Sequence, residues 1–486
     1  MLFCSFVPVI PVFLFIPSFV TIILAVLLVL FLIVSSLYGK RYFDKKVNEE
    51  VDKRVDNYIK VREKALQIKE GLDNSAIVKL KSDSKVASKK YDSVTVMFAD
   101  IQGFTKIVEH LNPERLIDEL DKFFVQFDMV VEKYKIEKIK TIGDAYMAAG
   151  GVPIKNSTNS VEVVMAALEI QRHMQQQKAD HRDFWELRVG IHTGPVISGK
   201  VGRSKTGSDI WGDTVNIASR MESSGVAGQI NITSITHQLV KDFFVCEYRG
   251  KMPIKYKGEI DMYFVKNILP ELSEMELGEE PNELFRIRLQ HIRFNDIEEI
   301  IISRLSTELS QQMYYHNAEH TSDMITQVEI LGRGENVSEE DLLILKTAAL
   351  MHDTGFLISY KGHETGSINL AKEILPTYQY TSEQIDGIVR LIEATRLGAK
   401  PSCKLEQIFR DADLDYLGRS DYFTISDRLY KELHEFDREM THAEWLNKQS
   451  DFLTKHQYYT LVAKEMRQLN KDQHVEKLKA LLLNAN

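Results

Sequence analysis

Two aspartates, Asp100 and Asp144, each stand where a predicted β-strand ends. The run VTVMFAD is apolar and β-branched up to Asp100, and Gly103 then breaks it, which suits a buried central strand. The stretch EKIKTIGDAYMAAGG alternates around Gly143-Asp144 and reads as a hairpin turn. Between them, Asn112-Pro113-Glu114 has the order of a helix start: capping residue, proline, acid. The helix Glu114–Tyr134 follows, with Leu116, Leu120, Phe123, Phe124, Phe127 and Val131 on one face. A helix covering both strands would bring Asp100 and Asp144 side by side. Two carboxylates on a polar edge can hold divalent metals, and two metals can clamp a polyphosphate and activate a hydroxyl.

A second constellation lies far downstream, in text that is helical almost throughout. His316 and His320 share one helical face, His352-Asp353 is adjacent on another helix, and Asp413 falls on a third. His363 stands between them, and Asp411 rivals Asp413 on spacing alone. Histidine and carboxylate together suit a borderline-to-hard divalent metal that activates water.

The elements that must position the first pair continue past Gly151. Ser160–Gln177 is a second amphipathic helix, and LRVGIHTGPVISGKVG reads as strand, Gly-Pro turn and strand. SDIWGDTVNIASRMES then enters a helix that Asp213 and Thr214 can cap, with Asn216 and Arg220 on one face. CEYRGKMPIKYKGEIDMYFVKNI reads as a hairpin with Lys255 and Lys257 near its turn. The order strand–helix–strand–strand–helix–strand predicts a ferredoxin-like α+β core with additions.

From Val94 to Ile268 this text resembles the catalytic domain of class III nucleotide cyclases. The resemblance implies attack of a ribose 3′-OH on the α-phosphate, with pyrophosphate leaving. It implies that Asp100 and Asp144, with the Ile101 carbonyl, hold two Mg2+ or Mn2+ ions. Arg220 would stabilise the transition-state phosphate, Asn216 would orient the ribose, and Arg188 and Lys255 would bind the triphosphate. Lys140 and Asp209 stand where ATP-using cyclases meet adenine, so ATP is the expected substrate rather than GTP. The family builds its site across a dimer interface, so a homodimer with two equivalent sites is expected.

The second constellation, over about Ile300–Leu417, resembles the HD superfamily of metal phosphohydrolases, and its YYHN opening is similar to cyclic nucleotide phosphodiesterases. The resemblance implies that His320, His352, Asp353 and Asp413 hold a first divalent metal and that His363 is a candidate ligand for a second. His316 would protonate the leaving oxygen. The chain departs from the phosphodiesterase pattern in a longer insertion before His363 and in lacking a purine-selecting glutamine. The substrate could therefore be cyclic AMP or another nucleotide, and a regulatory or binding role is the alternative.

The 486 residues leave room for about three domains. A net charge of −9 argues against a nucleic-acid binder, and three scattered cysteines argue against a disulfide framework. No charged residue occurs from Met1 to Gly39, and Val20–Tyr38 nearly supplies the ~20 apolar residues of a membrane span. A cleaved signal peptide is the alternative, but no basic segment precedes the apolar run. Lys40, Arg41, Lys45 and Lys46 follow, which predicts a single-pass cell-membrane protein with cytoplasmic catalytic domains. A stripe from Val47 to Leu72 predicts a short parallel coiled coil or a solvated linker helix. The expected organisation is multidomain: membrane anchor 1–39, coiled coil and linker 40–90, cyclase-like domain 91–268, acidic linker 269–283, and an all-α HD-type domain 284–486.

Overall fold

The computed structural model describes residues 89–104, 113–180, 185–199, 209–254, 258–436 and 440–485. The expected membrane span and coiled coil lie outside these residues, and so do Lys255 and Lys257. Among the described residues, no helix is long and apolar enough to cross a membrane.

The chain first builds β1 (Lys89–Ile101), α1 (Pro113–Lys133), β2 (Glu137–Ile142), β3 (Ala145–Gly150), α2 (Asn159–Asp180) and β4 (Leu187–Gly199). It adds β5 (Asp209–Trp211), α3 (Asp213–Ser223), β6 (Ile230–Thr233), α4 (Ser234–Val240), β7 (Phe244–Ile254) and β8 (Gly258–Ile268). The sheet runs β2-β3-β1-β4-β6-β8-β7, with β5 on the end of β4. Its first four strands, β2-β3-β1-β4, are antiparallel to one another, as the predicted βαββαβ order requires, and β4 pairs parallel with β6.

Strand β1 is central and covered on both faces. Met97, Ala99 and Ile101 pack with Phe123, Phe127 and Val131 of α1 and with α2. Val94, Val96 and Phe98 pack the other way, with Met147, Val196 and Ala218 of α3. Burial on both sides explains why its sequence is a nearly unbroken apolar run rather than an alternating one. The pairing register sets Asp100 opposite Arg188 on β4. Ile142 pairs with Ala145, so Gly143-Asp144 is the turn, and Gly143 takes a φ of 64° that favours glycine.

The acidic stretch after β8 is packed rather than free. Leu272 is fully buried in the sheet domain's core. Leu269 N–H donates to Phe243 O at 2.9 Å, and Asn282 N–H to Leu272 O at 3.0 Å. Beyond it the described residues are helical: α5 (Glu283–Glu308), α6 (Ala318–Gly334), α7 (Glu339–Met351), α8 (His363–Ile374), α9 (Ser382–Ala394), α10 (Lys404–Asp413), α11 (Tyr422–Phe436), α12 (His442–Lys455) and α13 (Leu461–Ala485). Helix α5 belongs to both cores. Phe285 and Leu289 at its start pack into the sheet domain, and Phe294, Ile297, Ile301 and Leu305 pack into the helical half.

Candidate active sites

In the sheet domain, Asp100 is the next-to-last residue of β1, beside the β2–β3 turn that carries Asp144. Burial and the neighbouring Asp100 carboxylate push Asp144 up to about 6. Arg188 Nη2 lies 2.8 Å from Asp100 Oδ2 and 2.9 Å from Glu222 Oε1. Glu222, in the last turn of α3, is 7% exposed, and burial with the Asp100 charge pushes it up to about 7. Two carboxylates thus meet at one guanidinium, and one of them, Asp100, raises the pKa of both Glu222 and Asp144. That excess of hard, negative oxygen fits Mg2+ or Mn2+ at Asp100 and Asp144. The Ile101 carbonyl belongs to the last residue of β1, directly after Asp100.

Glu222 was not singled out from the sequence. It lies two residues past Arg220, about 200° around a helix of 3.6 residues per turn. It therefore faces the sheet while Asn216 and Arg220 face out, and that phase is the one local signal for it. Asn216 and Arg220 are exposed, and their side chains make no hydrogen bond or ion pair to described residues. On the strands before α3, Ile197 and Trp211 pair across β4 and β5 and are 50% and 37% exposed.

Strand β5 sets Asp209 opposite Gly199, which brings it to Lys140 on β2. Lys140 Nζ lies 2.6 Å from Asp209 Oδ2, while Asp209 Oδ1 accepts from Ile210 N–H at 2.9 Å. The two residues expected at the base, 69 positions apart in sequence, are therefore in contact.

The adenylate and guanylate cyclase catalytic domain family matches residues 86–267. These residues are an adenylate/guanylate cyclase catalytic domain. Three relatives show the spread. The germination-specific adenylate cyclase of Dictyostelium discoideum is 39% identical over 210 residues, 42% of this chain and 24% of that protein. An adenylate cyclase of Mycobacterium bovis is 37% identical over 183 residues, 38% of this chain and 41% of the other. Guanylate cyclase 32E of Drosophila melanogaster is 36% identical over 200 residues, 40% of this chain and 17% of that protein. The chain thus spans less than half the length of each, and the similarity concerns the cyclase domain.

The helical half gathers its own cluster. His320 comes from the first turn of α6, His352 caps the C-terminus of α7 with Asp353 next to it, and Asp413 ends α10. His320 Nε2 is 3.3 Å from His352 Nε2 and 3.7 Å from Asp413 Oδ1. Asp353 Oδ2 is buried without a hydrogen-bond partner, 3.2 Å from His352 Nε2 and 3.5 Å from His320 Nε2. His320, His352 and Asp413 can all present one ligand atom within 4.8 Å of one another. An orphaned carboxylate oxygen among imidazole nitrogens fits a divalent cation. Burial pushes His320 down to about 3, with His352 and His316 acting in the same direction. Burial also opposes charge on His352, but Asp353 outweighs it and raises His352 to about 9. Asp353 is held well below the usual carboxylate range by the histidines around it, against the effect of burial. A metal at this site would displace the proton from His352.

His363 Nε2 is 3.6 Å from Asp353 Oδ1, and its ring stacks on Phe356 with centroids 3.9 Å apart. His316 hydrogen-bonds through Nδ1 to Glu432 Oε1. Glu432, on α11, is fully buried and its Oε2 accepts from the backbone N–H of Tyr315 at 2.8 Å and of His316 at 3.0 Å. Burial works against charge on His316, but Glu432 and Asp353 outweigh it and raise its pKa. The bond at Nδ1 leaves Nε2 to carry a transferable proton. Glu432 has no sequence signal, because KELHEF reads as an exposed helix face. Asp411 does not join the cluster: it accepts from Tyr459 N–H at 2.9 Å, Thr460 N–H at 2.7 Å and Thr460 Oγ1 at 2.8 Å.

Proposed function

We propose that the cyclase domain converts ATP to 3′,5′-cyclic AMP and pyrophosphate. The observation that carries the choice of ATP is the Lys140–Asp209 contact at 2.6 Å. An ammonium that can donate to a purine ring nitrogen stands beside a carboxylate that can accept from an exocyclic amino group, which is adenine's pattern. Asp100, Asp144 and the Ile101 carbonyl would hold the cations. When bound, these supply Lewis-acid polarisation of the phosphate and lower the pKa of the ribose hydroxyl. Arg188, and Lys255 on the family's pattern, would bind the triphosphate. The 3′-OH gives up its proton to water, its oxygen forms a bond to the α-phosphorus, the bond to the bridging oxygen breaks, and pyrophosphate departs. Asn216 orients the ribose and Arg220 meets the charge that builds on the phosphate. Both side chains are exposed, and so are Ile197 and Trp211 in the same domain, which supports a homodimer in which Asn216 and Arg220 complete the partner's site.

The His320–His352–Asp353–Asp413 cluster supports a second activity in the helical half, hydrolysis of a phosphoester, with cyclic AMP as the candidate substrate. His316, held at Nδ1 by Glu432, donates from Nε2 to the leaving 3′ oxygen. Both activities together would consume ATP to no net product, so one must be gated. Attachment to the cell membrane through residues 20–38, with both halves in the cytoplasm, completes the reading.

The test is incubation of the purified full-length chain with ATP, and separately GTP, in Mg2+ or Mn2+, with all nucleotides followed by chromatography. Cyclic AMP that rises and then falls to AMP is expected. Cyclic GMP as the main product would overturn the assignment of Lys140 and Asp209. A plateau of cyclic AMP would leave the cyclase reading standing and remove cyclic AMP as the helical half's substrate.

A further inference from the structure

Arg188 divides one nitrogen between two acids. Its Nη2 is 2.8 Å from Asp100 Oδ2 and 2.9 Å from Glu222 Oε1. Arg188 Nε and Glu222 Oε1 are buried and have no aligned hydrogen bond. One of the two acids, Asp100, would also hold the cations, and a cation on that carboxylate draws off the negative charge that attracts the guanidinium. We propose that Glu222 is a positioning residue for the cyclase centre, an inference that rests on the cyclase reading. Glu222 keeps Arg188 at the end of β4 when divalent cations take Asp100, and so leaves the guanidinium where it can meet the triphosphate.

The backbone fixes this arrangement. Gly190 lies two residues along β4 from Arg188, and a Cβ there would stand 1.9 Å from Glu222 N. Strand and helix therefore approach as closely as glycine permits, which holds Glu222 over the β4 end. Helix α3 also carries Asn216 and Arg220, so the Asp100–Arg188–Glu222 chain ties the helix of the transition-state pair to the strand of the metal carboxylate. Without Glu222, Arg188 would keep Asp100 as its ion-pair partner and compete with the cation for it.

The experiment is calorimetric titration of the full-length chain with 3′-deoxy-ATP in Mn2+, a nucleotide that binds but has no hydroxyl to cyclise. Wild type, Glu222→Gln, Arg188→Gln and the double variant are compared, with melting temperatures as the folding control. Glu222→Gln should weaken binding about 10-fold, and should change it less than about twofold once Arg188 is already glutamine. Equal weakening with and without Arg188 would reduce Glu222 to a general charge effect and overturn the proposal, as would no weakening at all. Should the glutamine variant melt early, Glu222→Asp takes its place, with an intermediate loss expected and the same dependence on Arg188. Absence of binding by wild type would remove the cyclase reading itself.

Discussion

At the residue scale, the resting chain holds Lys140 and Asp209 against each other, so a base must exchange an ion pair for neutral hydrogen bonds. The pair is partly exposed, with side chains at 41% and 32%, and is worth no more than about 1 kcal/mol, so a purine edge of matching pattern can displace it. Lys140→Ala should therefore raise the KM for ATP at least about 10-fold and change folding stability by less than about 1 kcal/mol, measured by initial rates and urea unfolding. Asp144 predicts a pH effect. Its folded pKa of about 6 lies above its usual value of 3.8, so the folded metal-free chain takes up a proton in that window and loses stability as pH rises through it. Asp144→Asn should melt higher than wild type at neutral pH without metal, by about 1 kcal/mol after allowance for solvent screening. The gain should vanish towards the ordinary carboxylate range, and a melting series that shows it growing at low pH would reject the assignment. Asp100 and Asp144 were legible because each sits at a strand end or turn, where period and glycine fix position, whereas Lys140 and Asp209 came from the family resemblance alone. Glu222 and Glu432 were not, because a buried acid on an amphipathic helix reads like a surface one until its partner, 34 residues back in one case and 116 in the other, is known.

At the element scale, α10 delivers two aspartates to opposite duties. Positions 411 and 413 are about 200° apart on a helix, so spacing shows that they face different ways but not which one meets the histidines. The partner elements decide it. Asp411 turns to the start of α13 and accepts two backbone N–H groups and the Thr460 hydroxyl, capping that helix, while Asp413 turns to His320. Asp411→Ala should cost about 2 kcal/mol of stability, as the loss of a buried cap does, and leave metal binding by the helical half intact. Asp413→Ala should do the reverse and abolish metal uptake, measured by metal content after dialysis, with little change in melting. In the sheet domain, Gly190 is the element-scale counterpart. Gly190→Ala would drive a Cβ into α3 at 1.9 Å, so the last turn must shift or the strand must bend. A loss of more than about 2 kcal/mol is expected from that overlap.

At the scale of the molecule, the chain departs from the expected string of separate modules. The stretch from Leu269 to Glu283 reads as a linker because it is acidic and bounded by prolines, yet one leucine, Leu272, seats it in the cyclase core while its glutamates face out. Helix α5 then carries apolar side chains into one core at its start and into the next core beyond Phe294. Its polar face grips the first turn of α2. Arg293 Nη2 pairs with Glu162 Oε1 at 3.1 Å, with side chains only 12% and 7% exposed, and Asp296 accepts from Ser157 N–H at 2.8 Å and Ser157 Oγ at 2.6 Å. Beside that turn, Asn159 Oδ1 accepts from Thr95 on β1, whose next-to-last residue is Asp100. A movement of the helical half about α5 would thus load the strand that ends beside Asp100, a physical connection through which the helical half could act on the sheet domain's site. Removing one member of a buried ion pair leaves an uncompensated charge and costs about 3 kcal/mol or more, so Arg293→Ala should loosen the junction without touching either site. Wild type is expected to unfold the two halves in one calorimetric transition, because they share a helix, and Arg293→Ala to resolve it into two. A single unchanged transition in the variant would mean that the apolar faces of α5 alone hold the halves together, and that the polar clamp on α2 transmits nothing.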